Sequence, residues 1–173
     1  MLAATTGLPG GETVDADVLR SRVADVLDDR QACRHDADAA AFPRLIRELH
    51  TTLASGQDSA NALRLVALLY VQGTQAWLRD ISAPLDLAWQ LALLSQQAAD
   101  QSDDPRTHAV ATFGTAHGLL AAGAFDLARA QLEPALSTAS TATVEDIQLT
   151  GMLAFTRSCS PRLKVTQMTS PSR

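Results

Sequence analysis

Apolar residues recur at helical spacing along most of the chain. In the segment that begins at Asp15 they fall at i, i+4, i+7 and i+8, one stripe of a helix: Leu19, Val23, Val26 and Leu27. After a polar stretch, a second stripe consists of Phe42, Leu45, Ile46, Leu49 and Leu53, and Gly56 can end it. Because proline fits only the first turn of a regular helix, Pro43 predicts that this second helix begins near Ala41.

Five further helices follow the same pattern. They are predicted at about residues 59–81, 85–101, 105–122, 125–138 and from 144 onward. The run LRLVALLYVQ is apolar nearly all round, which predicts that the third helix is the most buried. Asp104 and Thr143 are suited to cap the fifth and seventh helices, and Gly123 to end the fifth.

About seven helices joined by short loops indicate an all-α fold of antiparallel helical hairpins. Three regions follow: a flexible linker over residues 1–14, a helical domain over 15–156, and a loose basic tail over 157–173. The chain of 173 residues is 46% apolar and 4% aromatic, and no alternating run supports an all-β fold. Thirteen of the fourteen basic residues are arginine, which together with the abundant alanine suggests a GC-rich bacterial genome.

Charge is unevenly distributed along the chain. Residues 1–156 hold all 19 acidic residues and 10 of the 14 basic ones, a net charge of −9, which is unfavourable for binding duplex DNA. Cys33 and Cys159 are far apart and lack metal-site spacing, so we expect free thiols in a reducing cytoplasm. No apolar run predicts a signal peptide or a membrane span.

Small residues recur at a defined spacing after Gly123. Phe125 follows the glycine by two residues, and Ala128, Leu132 and Ala135 follow in turn. Helices approach closely only where the contacting side chains are small, which explains alanine at these positions. This order resembles the second half of a tetratricopeptide repeat, and the fold is therefore expected to be a short tetratricopeptide-like solenoid. The first half of the repeat departs from that pattern, with Thr112 and Leu119 in place of tryptophan and tyrosine.

A longer stretch resembles the C-terminal region of actinobacterial XRE-type helix-turn-helix regulators. The shared features are a DLAW helix at Asp86–Trp89, a DDP loop at Asp103–Pro105, and the hairpin His117–Ala128. The resemblance covers about residues 15–156 and implies a regulatory, effector-sensing or protein-interaction module. Those regulators begin with a DNA-binding domain, and nothing in this chain replaces it, so we expect no specific DNA binding by this chain alone.

The resemblance also implies where a partner would bind. Tetratricopeptide proteins bind on a concave face formed by the first helix of each hairpin. By that resemblance the groove-facing residues would be Tyr70, Trp77, Val110, Phe113 and His117. The expected partner is a peptide, a protein or a small-molecule effector, and a homodimer is left open.

No sequence motif indicates catalysis. The chain has no phosphate-binding loop, dinucleotide fingerprint, zinc-protease motif or nucleophile elbow. We therefore expect no enzyme activity, no cofactor and no metal. Two alternatives stay open: a stand-alone helical scaffold unrelated to transcription, and a helical enzyme with an acidic metal site at Asp28, Asp29 and Asp36.

Overall fold

The computed structural model describes residues 11–138 and 142–159, except for the side chains of 35–40, 144, 145 and 159. Every regular element in these ranges is helical: α1 (Ala16–Gln31), α2 (His35–Ala54), α3 (Ser59–Leu68), a π-helical segment (Leu69–Gln75), α4 (Ala76–Asp80), α5 (Leu85–Asp100), α6 (Pro105–Ala121), α7 (Phe125–Ser137) and α8 (Val144–Cys159). Because α3, the π segment and α4 are continuous, they form one rod. The described residues thus make seven helical rods, which confirms the all-α prediction.

Consecutive rods pack against each other as hairpins. α1 packs on α2, the α3–π–α4 rod on α5, and α6 on α7, and α8 packs on both α6 and α7. Two side-chain contacts fix the relative direction of α6 and α8. Arg106 binds Asp146 near the start of both helices, and His117 contacts Thr156 further along both. α6 and α8 are therefore parallel, as are the first helices of stacked hairpins. We call α1, the α3–π–α4 rod, α6 and α8 the first helices.

Capping residues hold the helix ends at the predicted places. The Asp104 side chain accepts a hydrogen bond from the backbone N–H of Arg106, and Gly123 follows α6 with a φ of 75°. At the start of α8, the Thr143 hydroxyl accepts from the N–H of Asp146, whose carboxylate accepts from the N–H of Thr143. This reciprocal pair is a capping box, so Thr143 caps α8 as its sequence position predicted.

Small residues line the contacts between the later helices. Ala92, Ala99, Ala111, Ala116 and Ala128 have no exposed surface. Ala128 packs with Ala116, Leu132 and Leu153 in a core shared by α6, α7 and α8. The larger core, around α1, α2 and the α3–π–α4 rod, is built from bulkier side chains, including Leu19, Phe42, Leu49 and Leu69. These small side chains thus allow α5, α6 and α7 to pack closely against one another.

The start of α2 differs from the prediction. The helix begins at His35 rather than near Ala41, and Pro43 lies inside it. Proline removes one backbone hydrogen bond and crowds the preceding turn. Here the ring is exposed, and burial of Phe42, Leu45 and Leu49 on the other face holds the helix against the core. Tertiary packing outweighs the local cost of the proline.

The sequence predicted one helix at about residues 59–81, close to the observed rod, but it did not predict the π segment within that rod. Its Gln75 side chain is buried, and its amide Nε2 donates to the backbone carbonyls of Ala88 at 3.2 Å and Gly114 at 3.1 Å. The wider turn of a π helix brings Tyr70, Val71 and Gln75 into the interior together. Gln75 thereby joins the rod to both α5 and α6.

The ordered helical domain extends slightly into both the predicted linker and the predicted tail. Val14 exchanges hydrogen bonds with the Thr52 hydroxyl, so this part of the predicted linker is attached to α2. α8 continues to Cys159, which places the first three residues of the predicted tail in a helix. Residues 1–10 and 160–173 lie outside the described part of the chain.

Candidate functional site

A cleft of about 790 Å³ runs between the first helices. α1 and α8 form its two sides, and the α3–π–α4 rod and α6 contribute the residues between them. Every residue that lines it belongs to a first helix, none to α2, α5 or α7. This volume lies within the range of about 300–1,000 Å³ that is usual for ligand sites in proteins.

The walls of the cleft are largely apolar. All four first helices contribute to them: Val23, Ala24, Leu27, Leu65, Leu68, Val110, Leu149 and Met152. Val23, Leu65 and Val110 are core residues, whereas Leu27, Leu68 and Leu149 are partly exposed. The wall is therefore a partly exposed edge of the larger core. A ligand could contact this apolar surface without any part of the protein unfolding.

The rim of the cleft is polar and charged. It carries three arginines, two aspartates and four amides: Arg20, Arg64, Arg106, Asp28, Asp146, Gln31, Asn61, Gln72 and Gln148. Polar groups beside an apolar wall can fix the orientation of a bound ligand.

One ion pair joins two of the helices that line the cleft. Nε of Arg106 lies 2.7 Å from Oδ1 of Asp146, and Nη2 donates to Oδ2 at 3.2 Å. The Asp146 carboxylate also completes the cap of α8 and is almost fully buried. A two-point arginine–carboxylate contact is directional, so the pair fixes the spacing of α6 and α8 at this end.

The cleft includes Val110 but none of the other four residues predicted to face a groove. Tyr70 is buried on another side of the rod, where its hydroxyl lies 2.6 Å from Nε2 of His50. Burial raises the pKa of Tyr70 to about 12. Trp77 packs against Phe42, with ring centroids 6.1 Å apart. The resemblance supplied the predicted register. Tyr70 lies within the π segment and Trp77 follows it, so their spacing around the rod is not that of a regular α-helix.

Phe113 and His117 lie together near the other end of α6. The ring of Phe113 meets His117 edge-on at 4.4 Å between centroids and packs against both cores. Nδ1 of His117 lies 2.6 Å from Nη1 of Arg79, and Nε2 lies 3.3 Å from the Thr156 hydroxyl. Because arginine only donates, Nδ1 must accept, and the ring proton is placed on Nε2.

This network favours the neutral form of His117. Burial, reinforced by the charge of Arg79, lowers its pKa to about 4. The Thr156 hydroxyl accepts from Nε2 and donates to the carbonyl of Met152 at 2.8 Å. A second ring proton on Nδ1 would face the Arg79 guanidinium, which has no acceptor. His117 thus links the rod, α6 and α8 as a neutral side chain.

A buried carboxylate, that of Glu48, contacts α1 on a side that does not line the cleft. Glu48 accepts from Nη1 of Arg22 at 2.5 Å and from Nε of Arg44 at 2.8 Å. Burial alone would raise the pKa of Glu48, but hydrogen bonds and charge from Arg44 and Arg22 outweigh it and hold the pKa below its usual value. This cluster could not be predicted from the sequence, because Arg22 and Glu48 are on different helices. Its two arginine contacts leave Glu48 in a structural role, tying α1 to α2.

The acidic residues of the proposed metal site have separate environments. Asp28 lines the cleft, and Asp29 accepts from Nε of Arg34 at 2.9 Å. The side chain of Asp36 lies outside the described residues. Among the side chains that the structure describes, no three His, Cys, Asp or Glu residues are grouped closely enough to hold a metal ion.

Other apolar surface lies away from the cleft. On α5, Leu85, Leu87 and Leu93 are exposed by 40–43%, and on α8 Phe155 is exposed by 71%. None of these side chains lines the cleft. They are the alternative place where an apolar partner could bind.

Comparisons with known proteins do not assign the chain to a family. No family model, no curated protein and no solved structure matches it significantly. Between residues 11 and 159, apart from 139–141, no helix combines the length and apolar character that crossing a membrane requires.

Proposed function

We propose that this chain is a binding module that holds an effector or a partner segment in the cleft between its first helices. The observation that carries the proposal is the cleft itself, with apolar walls and a polar rim supplied only by first helices. In stacked helical hairpins the first helices form a shared concave surface, which suits recognition of a ligand.

We further propose that the module is the regulatory part of a bacterial, tetratricopeptide-like transcriptional regulator of the XRE type, acting in the cytoplasm. Its support is the resemblance over Asp86–Trp89, Asp103–Pro105 and His117–Ala128. In this role the chain senses an effector and does not read DNA, in keeping with the net charge of −9 over residues 1–156. We propose that the module binds a ligand and does not catalyse a reaction.

A neutral fluorescent dye, Nile red, tests whether the cleft binds apolar molecules. Ala24 is an exposed residue that lines the cleft, so Ala24→Trp should fill part of the space and abolish binding. Ala130→Trp is the matched control, because Ala130 is exposed on α7 and away from the cleft. We expect saturable binding to the natural chain and to the Ala130 variant only.

Circular dichroism and thermal melting establish that both variants fold. If Ala24→Trp does not fold, Gln148→Trp blocks the cleft from α8, where Gln148 is exposed. No dye binding to the natural chain, or equal binding to folded cleft-filled variants, would refute the proposal.

A further inference from the structure

α8 has an open side where the two first helices before it are covered. The α3–π–α4 rod packs on α2, which precedes it, and on α5, which follows it. In the same way α6 packs on α5 and on α7. α8 packs on α7, but within residues 11–138 and 142–159 no helix follows it. The position that a following helix takes beside the rod and beside α6 is therefore open beside α8.

The open side of α8 carries a row of exposed residues, Ile147, Gly151 and Phe155. They are spaced four residues apart, so they lie one above the other on the helix. Phe155 is exposed by 71% and Ile147 by 56%, whereas Leu153 and Thr156, on the core side of α8, are buried. A Cβ at Gly151 would meet nothing within 4 Å. Two large apolar side chains thus lie at the ends of a row whose centre is flat.

This row is free of charged side chains. The other residues on the same side of α8 are Gln148, Ala154 and Ser158. Arg157 lies at the edge, where it contacts Glu133 of α7 at 3.4 Å. The chain as a whole has a net charge of −5, so two copies repel each other on average. An uncharged apolar surface is where that repulsion is weakest, which favours a second copy of this chain as the partner.

We propose that the row on α8 is a homodimer interface and that α8 of a second copy packs on it. A two-fold axis at Gly151 brings the two helices together antiparallel, the direction in which α7 packs on α6. Phe155 of one copy then lies beside Ile147 of the other, because each is four residues from Gly151. The same contact forms twice and closes the pair. A contact with a different helix of the second copy would not close in this way.

The interface is separate from the cleft. None of the three residues of the row lines the cleft, so a dimer leaves the cleft accessible and the inference does not depend on the proposed function. One pair of crossing helices buries less than the roughly 1,200 Å² at the low end of stable specific interfaces. We therefore expect a dimer that dissociates reversibly on dilution.

Sedimentation equilibrium of the natural chain over a range of concentrations tests the proposal. The average mass should rise with concentration from 18.3 kDa towards twice that value. Phe155→Glu and Ile147→Glu should each stay monomeric over the same range, because each places a carboxylate in an apolar contact. Leu87→Glu is the control, since Leu87 is an exposed apolar residue of α5, and it should dimerise like the natural chain. Circular dichroism and thermal melting establish that all three variants fold.

Disulfide cross-linking tests the antiparallel arrangement. In a chain that also carries Cys33→Ser and Cys159→Ser, Gly151→Cys should form a disulfide between copies, because it lies at the two-fold axis. Phe155→Cys should not link to itself, since the two copies of this residue are roughly 12 Å apart along the helices, beyond the reach of a disulfide. A mixture of Phe155→Cys and Ile147→Cys chains should cross-link.

Three results would overturn the proposal. A monomer at every concentration would mean that another segment or another protein covers this side of α8. A dimer that persists in both folded glutamate variants would place the interface elsewhere. Cross-linking of Phe155→Cys to itself, without cross-linking in the mixture, would contradict the antiparallel pair.

Discussion

Gly114 of α6 lies so close to Val71 of the π segment that a Cβ there would be 2.6 Å from Cγ2 of Val71. The Oε1 atom of Gln75 would be 3.3 Å away. Val71 and Gln75 are buried, so neither side chain has free space into which it could move. The absence of a side chain at Gly114 is what lets the rod and α6 pack at this distance.

Gly114→Ala should therefore destabilise the protein despite the higher helix propensity of alanine. We expect a loss of roughly 1–3 kcal/mol in the free energy of unfolding, which is usual for overpacking a core. Gly151→Ala is the matched control, since a Cβ at Gly151 of α8 meets nothing within 4 Å. That variant should gain about 0.5–1 kcal/mol. Urea denaturation measures both, and equal effects would contradict the close contact.

Ala128 and Ala130 form a second matched pair, on α7. Ala128 has no exposed surface and packs against Ala116, whereas Ala130 is exposed. Ala128→Leu should cost roughly 1–3 kcal/mol through overpacking, and Ala130→Leu should be tolerated. Comparable melting temperatures for the two variants would contradict the close contact of Ala128 with α6.

The helices themselves could be predicted because their signals are local. The stripe of Leu19, Val23 and Val26 depends only on helical periodicity, and Asp104 and Thr143 act within one turn of their positions. Small residues at the contacts, such as Ala128, followed from the need for close approach. Each of these inferences needs only a few neighbouring residues.

The cleft could not be predicted because it depends on how distant helices stack. Arg20, Arg64 and Arg106 are separated by about forty residues each and resemble ordinary surface residues in the sequence. The π segment was hidden as well, since a run that is apolar all round gives no periodicity from which a change of turn could be detected. The resemblance placed Tyr70 and Trp77 in a groove, whereas neither side chain lines the cleft.

The folded state should become less stable in mild acid because the pKa of His117 is lower in the folded chain than in the unfolded chain. Burial and the charge of Arg79 lower its pKa from the ordinary value of 6.5 to about 4 in the folded chain. The unfolded state therefore binds the proton more readily, and stability should decrease as pH falls from about 6.5 to about 4. His117→Gln should flatten this part of the stability profile.

Urea titrations at several pH values between these limits measure the effect. The natural chain, titrated in parallel, supplies the reference slope. An unchanged slope in the His117 variant would show that the imidazole is not held neutral by Arg79 and its buried surroundings.

DNA binding tests the proposal that this chain is a sensor and not a reader of sequence. Specific recognition needs side chains that contact base edges, supported by positive groups on phosphates. With a net charge of −9 over residues 1–156, we expect no sequence-specific complex. A mobility-shift titration with promoter fragments, at about 150 mM salt with unrelated competitor DNA, is the measurement. A shift that survives the competitor would refute the prediction.

Photoaffinity labelling tests the central claim most directly, because it reports where an apolar molecule binds. A neutral alkane-chain diazirine is bound to the natural chain, photolysed, and its attachment sites are mapped by mass spectrometry. We predict labels on the cleft residues Leu68, Leu149 and Met152, and their loss in Ala24→Trp. Labels concentrated on Leu85, Leu87 and Leu93 of α5, and unaffected by Ala24→Trp, would contradict the cleft as the binding site.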